Sequence, residues 1–174
     1  MKEPLRYGLI LGLICFLAAG LLSLVNFITT PKIMAQEALE LENSLKEVIP
    51  GGILFEPLRS NNETAYYKVL DKNKLLIGVI FKTSARGYSG VIDTLAGMTI
   101  EGKIIAIKVL NQNETPGLGS RITEPDFTGQ FKGKFDSDLK NIQAITGATI
   151  SSKAVIDSVK NKASEIMELL KNAK

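Results

Sequence analysis

Small residues interleaved with hydroxyls give this chain its clearest chemical signal, Thr146-Gly147-Ala148-Thr149-Ile150-Ser151-Ser152. If a helix begins there, its first N–H groups lack intrahelical partners and its dipole presents a positive end. The hydroxyls add donors, and the set suits a phosphate. The same residues suit an ordinary N-cap at Ser151 or Ser152 equally well. No lysine follows a Gly-x-x-x-x-Gly frame, so this is not a Walker loop. A second loop, Glu114-Thr115-Pro116-Gly117-Leu118-Gly119-Ser120, has two glycines that let backbone approach a ligand and two hydroxyls beside them. On residue type alone its Pro-Gly pair reads first as a plain turn. A third, Arg86-Gly87-Tyr88-Ser89-Gly90, sets an aromatic between glycines. Tyr88 there either stacks on a planar ring or packs over a core edge.

What the chain lacks is equally informative. Its 174 residues include no histidine and one cysteine, Cys15, which lies in an apolar run. Outside that run, no Cys/His zinc site, haem ligation, Fe–S cluster, cysteine nucleophile, disulfide or histidine triad can be assembled. Redox work in such a domain requires a borrowed organic cofactor. The formal charge of +3 is spread among acids and carries no nucleic-acid footprint.

The elements that must position these loops follow from periodicity. Tyr7 to Ile28 carries no charge and as a helix spans roughly 33 Å, enough to cross a hydrocarbon core. It is longer than a secretory h-region, which predicts a permanent anchor. Lys2 and Arg6 precede it and only Lys32 closely follows, so the positive-inside rule puts the N-terminus in the cytoplasm. Met34, Ala38, Leu41, Leu45 and Val48 recur at helical spacing until Pro50-Gly51-Gly52. Five apolar, β-branched stretches follow: Ile53–Phe55, Tyr66–Leu70, Leu75–Lys82, Val91–Ile100 and Lys103–Leu110. Turn signals at Asp71–Lys74 and Glu101-Gly102 predict antiparallel hairpins. A helix from about Ile150 to Leu170 closes the chain. The expected fold class is α+β: a mainly antiparallel sheet with packed helices, tethered by one span. The expected divisions are a cytoplasmic tail, 1–6, a membrane helix, 7–28, an amphipathic linker helix, 29–50, and an extracytoplasmic domain, 51–174.

With these residues in this order, the chain resembles the covalent-flavin subunits of bacterial and archaeal membrane electron transport complexes, specifically the G subunit of the Rnf complex. The resemblance rests on the single span, Gly87-Tyr88-Ser89-Gly90, Glu114–Gly119, the Phe127–Phe131 stretch and Thr146-Gly147-Ala148-Thr149. It implies FMN held by a phosphoester on Thr149, installed by a flavin transferase. It further implies cofactor contacts from Thr146, Gly147, Ala148, Ser151, Thr115, Gly117, Leu118, Gly119 and Tyr88. Gln143 stands where the family's modification motif commonly has an acidic residue. Arg86, Lys108 and Arg121 are candidates for cations near the flavin ring. The function so implied is that of an electron-carrying subunit in an ion-translocating ferredoxin:NAD oxidoreductase, at the inner membrane and facing outward. Such a subunit has no complete active site of its own, and its partners are the other subunits. The alternatives are a flavin-free, membrane-tethered ligand-binding or assembly module, the flavin subunit of a related quinone reductase, and a stand-alone extracytoplasmic reductase.

Overall fold

A computed structural model describes residues 2–60 and 63–172. It opens with one uninterrupted helix, α1 (Lys2–Val48), which runs through Pro31. The expected division at 28/29 is therefore not a break in secondary structure. Proline removes one backbone donor, but helix formers such as Ala35, Gln36, Glu37 and Ala38 follow it at once, and no glycine intervenes before Gly51. The Thr30 hydroxyl, just before the proline, donates to the Asn26 carbonyl at 2.7 Å.

The chain divides into two compact units, Met1–Glu42 and Asn43–Lys174. Among the described residues, the first unit is helix alone. Its helix is long and apolar enough to cross a membrane, and Leu9, Leu13, Phe16 and Phe27 are all exposed, the pattern of a helix apolar on every side.

The second unit is built on five strands in sequential antiparallel order: β1 (Leu54–Ser60), β2 (Glu63–Leu70), β3 (Leu76–Arg86), β4 (Val91–Met98) and β5 (Ile104–Asn111). Alternation sends Val79, Phe81, Ile92, Ala96 and Met98 to one face. There they meet Val155, Val159, Ala163 and Ile166 of the closing helix in the main core. Between β5 and that helix come short turns and a four-residue helix, α2 (Pro125–Thr128); the closing helix is the long α3 (Thr149–Asn172). Phe127 and Phe131 pack edge to face within this stretch, 5.5 Å apart, and both are buried. On the opposite face the sheet thins to glycine at Gly78 and Gly97. A Cβ at Gly97 would lie 2.5 Å from Val48 and 2.9 Å from Ile49. Those two bare positions seat the end of α1, whose Val48 is buried, as is the adjoining Ile49, and Lys108 of β5 pairs with Glu47 beside them.

Candidate functional site

The three loops singled out by residue type converge at the start of α3. Thr146 and Gly147 make a sharp turn, with Gly147 at φ +82°, a conformation glycine adopts without penalty. The turn is locked from behind. The Ser152 hydroxyl donates to the Ala148 carbonyl at 2.9 Å and accepts the Ile145 N–H at 3.0 Å. The Ser152 N–H also reaches the Ala148 carbonyl, at 3.0 Å, so Ala148 occupies the N-cap position. Neither Ser151 nor Ser152 caps the helix, and Ala148 brings no side-chain acceptor. The N–H groups of Thr149, Ile150 and Ser151 thus fall in the first turn, where no carbonyl lies four residues back within the helix.

The second loop folds on itself. The Leu118 and Ser120 N–H groups donate to the Thr115 carbonyl, each at 3.2 Å, and the Gly117 N–H donates to the Ser120 hydroxyl at 3.0 Å. Gly117 takes φ +74°, and open space surrounds its Cβ position. Leu118 reaches across to the turn before α3, lying 3.4 Å from where a Cβ on Gly147 would stand. The loop joining β3 to β4 closes with Gly87 N–H donating to the Gly90 carbonyl at 2.7 Å and leaves Tyr88 71% exposed.

Together they enclose an open cleft of about 570 Å³ lined by Tyr88, Glu114, Thr115, Leu118, Gly119, Gly147, Ala148, Thr149, Ile150 and Ser151. Most residues named from the sequence meet there. Thr146 and Gly117 do not line it: Thr146 opens the turn before α3, and Gly117 serves the backbone conformation of its own loop. The expected cations are also elsewhere. Lys108 pairs with Glu47 and Arg121 with Glu124, and Arg86 is not among the lining residues.

The single ionisable carboxylate among the lining residues is Glu114, a residue to which its motif gave no role. It is buried. One oxygen accepts the N–H of Ser89 at 3.0 Å and of Gly90 at 3.2 Å; the other accepts the Tyr88 N–H at 3.2 Å and the Ser151 hydroxyl at 2.6 Å. Burial pushes this carboxyl up, and the hydrogen bonds from Ser151, Ser89, Gly90 and Tyr88 outweigh it, so it titrates below the ordinary glutamate value. The four donors come from segments 24 to 37 residues away, a distance at which residue type and periodicity carry no information. The signal that was present is glycine placement: a Cβ at Gly87 would collide with the Glu114 carboxylate, and one at Gly119 would lie 2.7 Å from its Cβ.

The cleft's volume falls in the roughly 300–1,000 Å³ range of small-molecule sites. Its composition, a helix start with free N–H groups beside Tyr88, Leu118 and Ile150, suits a ligand with an anionic tail and an apolar planar body. Comparison with known proteins agrees. The family model for the FMN-binding domain matches residues 87–164, a span that begins at Gly87 in the third loop and contains the other two, and the model for the RnfG N-terminal region matches residues 1–48. The chain is 33% identical to the G subunit of the proton-translocating ferredoxin:NAD(+) oxidoreductase complex of Clostridium ljungdahlii, over 90% of this chain and 88% of that one. It is also 33% identical to the G subunit of the ion-translocating oxidoreductase complex of Methanosarcina acetivorans, over 91% and 92%. Its fold is similar to the crystal structure of Shewanella oneidensis NqrC, with a TM-score of 0.55 at 19% identity, covering 72% of this chain and 74% of that one.

Proposed function

The chain belongs to the family of G subunits of ion-translocating oxidoreductase complexes, and on that footing we propose that it carries electrons on an FMN esterified through its phosphate to the Thr149 hydroxyl. The observation that carries this reading is the setting of that hydroxyl: Thr149 is exposed, opens α3 and lines the cleft. The match to an FMN-binding domain over residues 87–164 supports the choice of cofactor.

Bound FMN supplies the redox chemistry, and the chain supplies position and surroundings. The first-turn N–H groups of α3 receive the phosphate charge at the positive end of the helix dipole. Tyr88, Leu118 and Ile150 offer exposed apolar surface to the ring, and Gly147 keeps the turn free of a side chain at the cleft wall. The ester itself needs an external flavin transferase, because a threonine hydroxyl is a weak nucleophile and this chain has no histidine to serve as its base. A covalent tether then prevents loss of the cofactor outside the cell. In the complex, α1 holds the subunit in the cytoplasmic membrane. The domain passes electrons between partner subunits.

The test is co-expression of the full-length chain with a flavin transferase, followed by denaturing electrophoresis and ultraviolet illumination. The wild-type band should fluoresce and the Thr149→Ala band should be dark. Thr146→Ala should retain fluorescence, weakened to the extent that the transferase reads Thr146. Fluorescence persisting on Thr149→Ala overturns the choice of acceptor, and a dark wild-type band favours a flavin-free binding module.

A further inference from the structure

Burying a carboxylate is costly unless its oxygens are satisfied, and on stability grounds alone an apolar group of the same shape often serves as well. Glu114 is nevertheless buried and accepts four hydrogen bonds, about the full capacity of a carboxylate. The arrangement is built around it from both sides. Gly87 and Gly119 leave the space its side chain fills, since a Cβ on Gly119 would stand 2.8 Å from one carboxylate oxygen and 3.1 Å from the Ser151 hydroxyl. The Gln112 side chain fixes its backbone from below by accepting the Glu114 N–H at 2.7 Å. Glu114 belongs to neither strand nor helix, lying between β5 and the turn that begins at Gly119.

Its partners divide into two groups that belong to different segments of the fold. Three are consecutive N–H groups, of Tyr88, Ser89 and Gly90, on the loop that presents the exposed Tyr88. The fourth is the hydroxyl of Ser151, two residues after Thr149 in the first turn of α3. We propose that Glu114 is the positioning residue of this site, holding the Tyr88 loop and the Thr149 turn at a fixed separation so that the acceptor hydroxyl and the ring-flanking aromatic address the same ligand. The inference rests on the reading of Thr149 as the flavin-bearing residue. Glu114 acts on the flavin site through Ser151 and the loop backbone and takes no part in making the ester.

Glu114→Gln tests this while conserving shape. The amide oxygen still accepts from Ser89 and Gly90, but the amide NH₂ meets the Tyr88 N–H donor against donor, and Ser151 must turn to accept. Ser151→Ala removes the α3 side of the tie and leaves the carboxylate its three N–H partners. Full-length apo-chains in detergent are given purified flavin transferase and its flavin substrate, and the initial rate of covalent flavin incorporation is followed by in-gel fluorescence. Hydrogen exchange at residues 88–90 and the melting temperature are measured on the same apo-chains.

Each single substitution should slow incorporation about tenfold, the scale on which groups that orient a functional residue act. The double variant should be little slower than either alone, because both changes cut one connection. Exchange at 88–90 should quicken in Glu114→Gln while the melting temperature moves by only a few degrees, a local opening without global loss. Glu124→Gln, at an exposed carboxylate outside the cleft, should behave as wild type. Wild-type incorporation in both Glu114→Gln and Ser151→Ala overturns the proposal, as do losses that multiply in the double variant. If Glu114→Gln does not fold, the Ser151→Ala rate alone decides. Flavin retained on Thr149→Ala in the same assay refutes the acceptor assignment instead, which keeps the two failures distinct.

Discussion

Three hydroxyls crowd the first turn of α3, and their surroundings separate them. Ser151 and Ser152 are buried, with their protons committed to Glu114 and to the Ala148 carbonyl, whereas Thr149 stands exposed at the cleft wall. The glycines of the second loop separate in the same way. Gly117 is needed for its positive φ and Gly119 for the room it leaves beside Glu114. Gly117→Ala should therefore cost about 1–2 kcal/mol from backbone strain alone and leave flavin loading near wild type. Gly119→Ala should cost about 1–3 kcal/mol by overpacking and reduce loading as well. Urea titration and in-gel fluorescence of the two variants check this, and equal loading would remove the distinction. The ionised form of Glu114 is favoured in the folded chain, so its stabilisation is fully present above the unfolded glutamate pKa of about 4.3 and is lost as pH falls through that value toward the lower folded one. Melting temperatures taken downward from about pH 6 should fall less steeply for Glu114→Gln than for wild type in that window. The slope remaining in the variant includes Asp93, whose burial is outweighed by bonds from Ser84 and Lys82. A variant curve as steep as wild type contradicts the assignment. The helix start after Gly147 was legible in the sequence because small residues followed by hydroxyls have a recognisable chemistry, while the choice of Thr149 among those hydroxyls came from the family resemblance alone. Glu114 was not, because a lone glutamate in a loop acquires its role only from donors that the fold brings to it.

At the scale of elements, the strands were legible, with ends up to five residues off, because each contains a short apolar, β-branched run of the kind a sheet covered on both faces requires. The continuity of α1 was not, since the charge-free run ends at Ile28 and the apolar repeat from Met34 to Val48 reads as a separate helix. The segment from Gln112 to Ala148 has no periodicity to read: it is a series of short turns held by Phe127, Phe131 and Leu139. Gly97 shows two principles in opposition. Valine is the better strand former, but here its side chain would enter the space of Val48 and Ile49. Packing should prevail, so Gly97→Val should destabilise the full-length chain in detergent by about 1–3 kcal/mol. A melting temperature at or above wild type would show that the end of α1 is not seated on the sheet as described.

The whole molecule combines a long apolar helix with a histidine-free domain whose cysteine count outside that helix is zero. That division of composition was readable at once, and it directs the redox chemistry to a borrowed cofactor. Lys2 and Arg6 before the span, against Lys32 closely after it, predict that the domain lies outside the cytoplasm. Protease added to intact spheroplasts should digest it, and full protection would reverse the orientation. The central claim, one FMN on one hydroxyl, has a more direct test. Trypsin cleaves after Lys140 and Lys153, releasing residues 141–153 as a single peptide that contains Thr146, Thr149, Ser151 and Ser152. Fragmentation of this peptide from protein matured with a flavin transferase should show the mass of one FMN less one water, first appearing in the fragments that include Thr149. The same mass on Thr146 or Ser151, or an unmodified peptide from a chain that carries covalent flavin, would contradict the account.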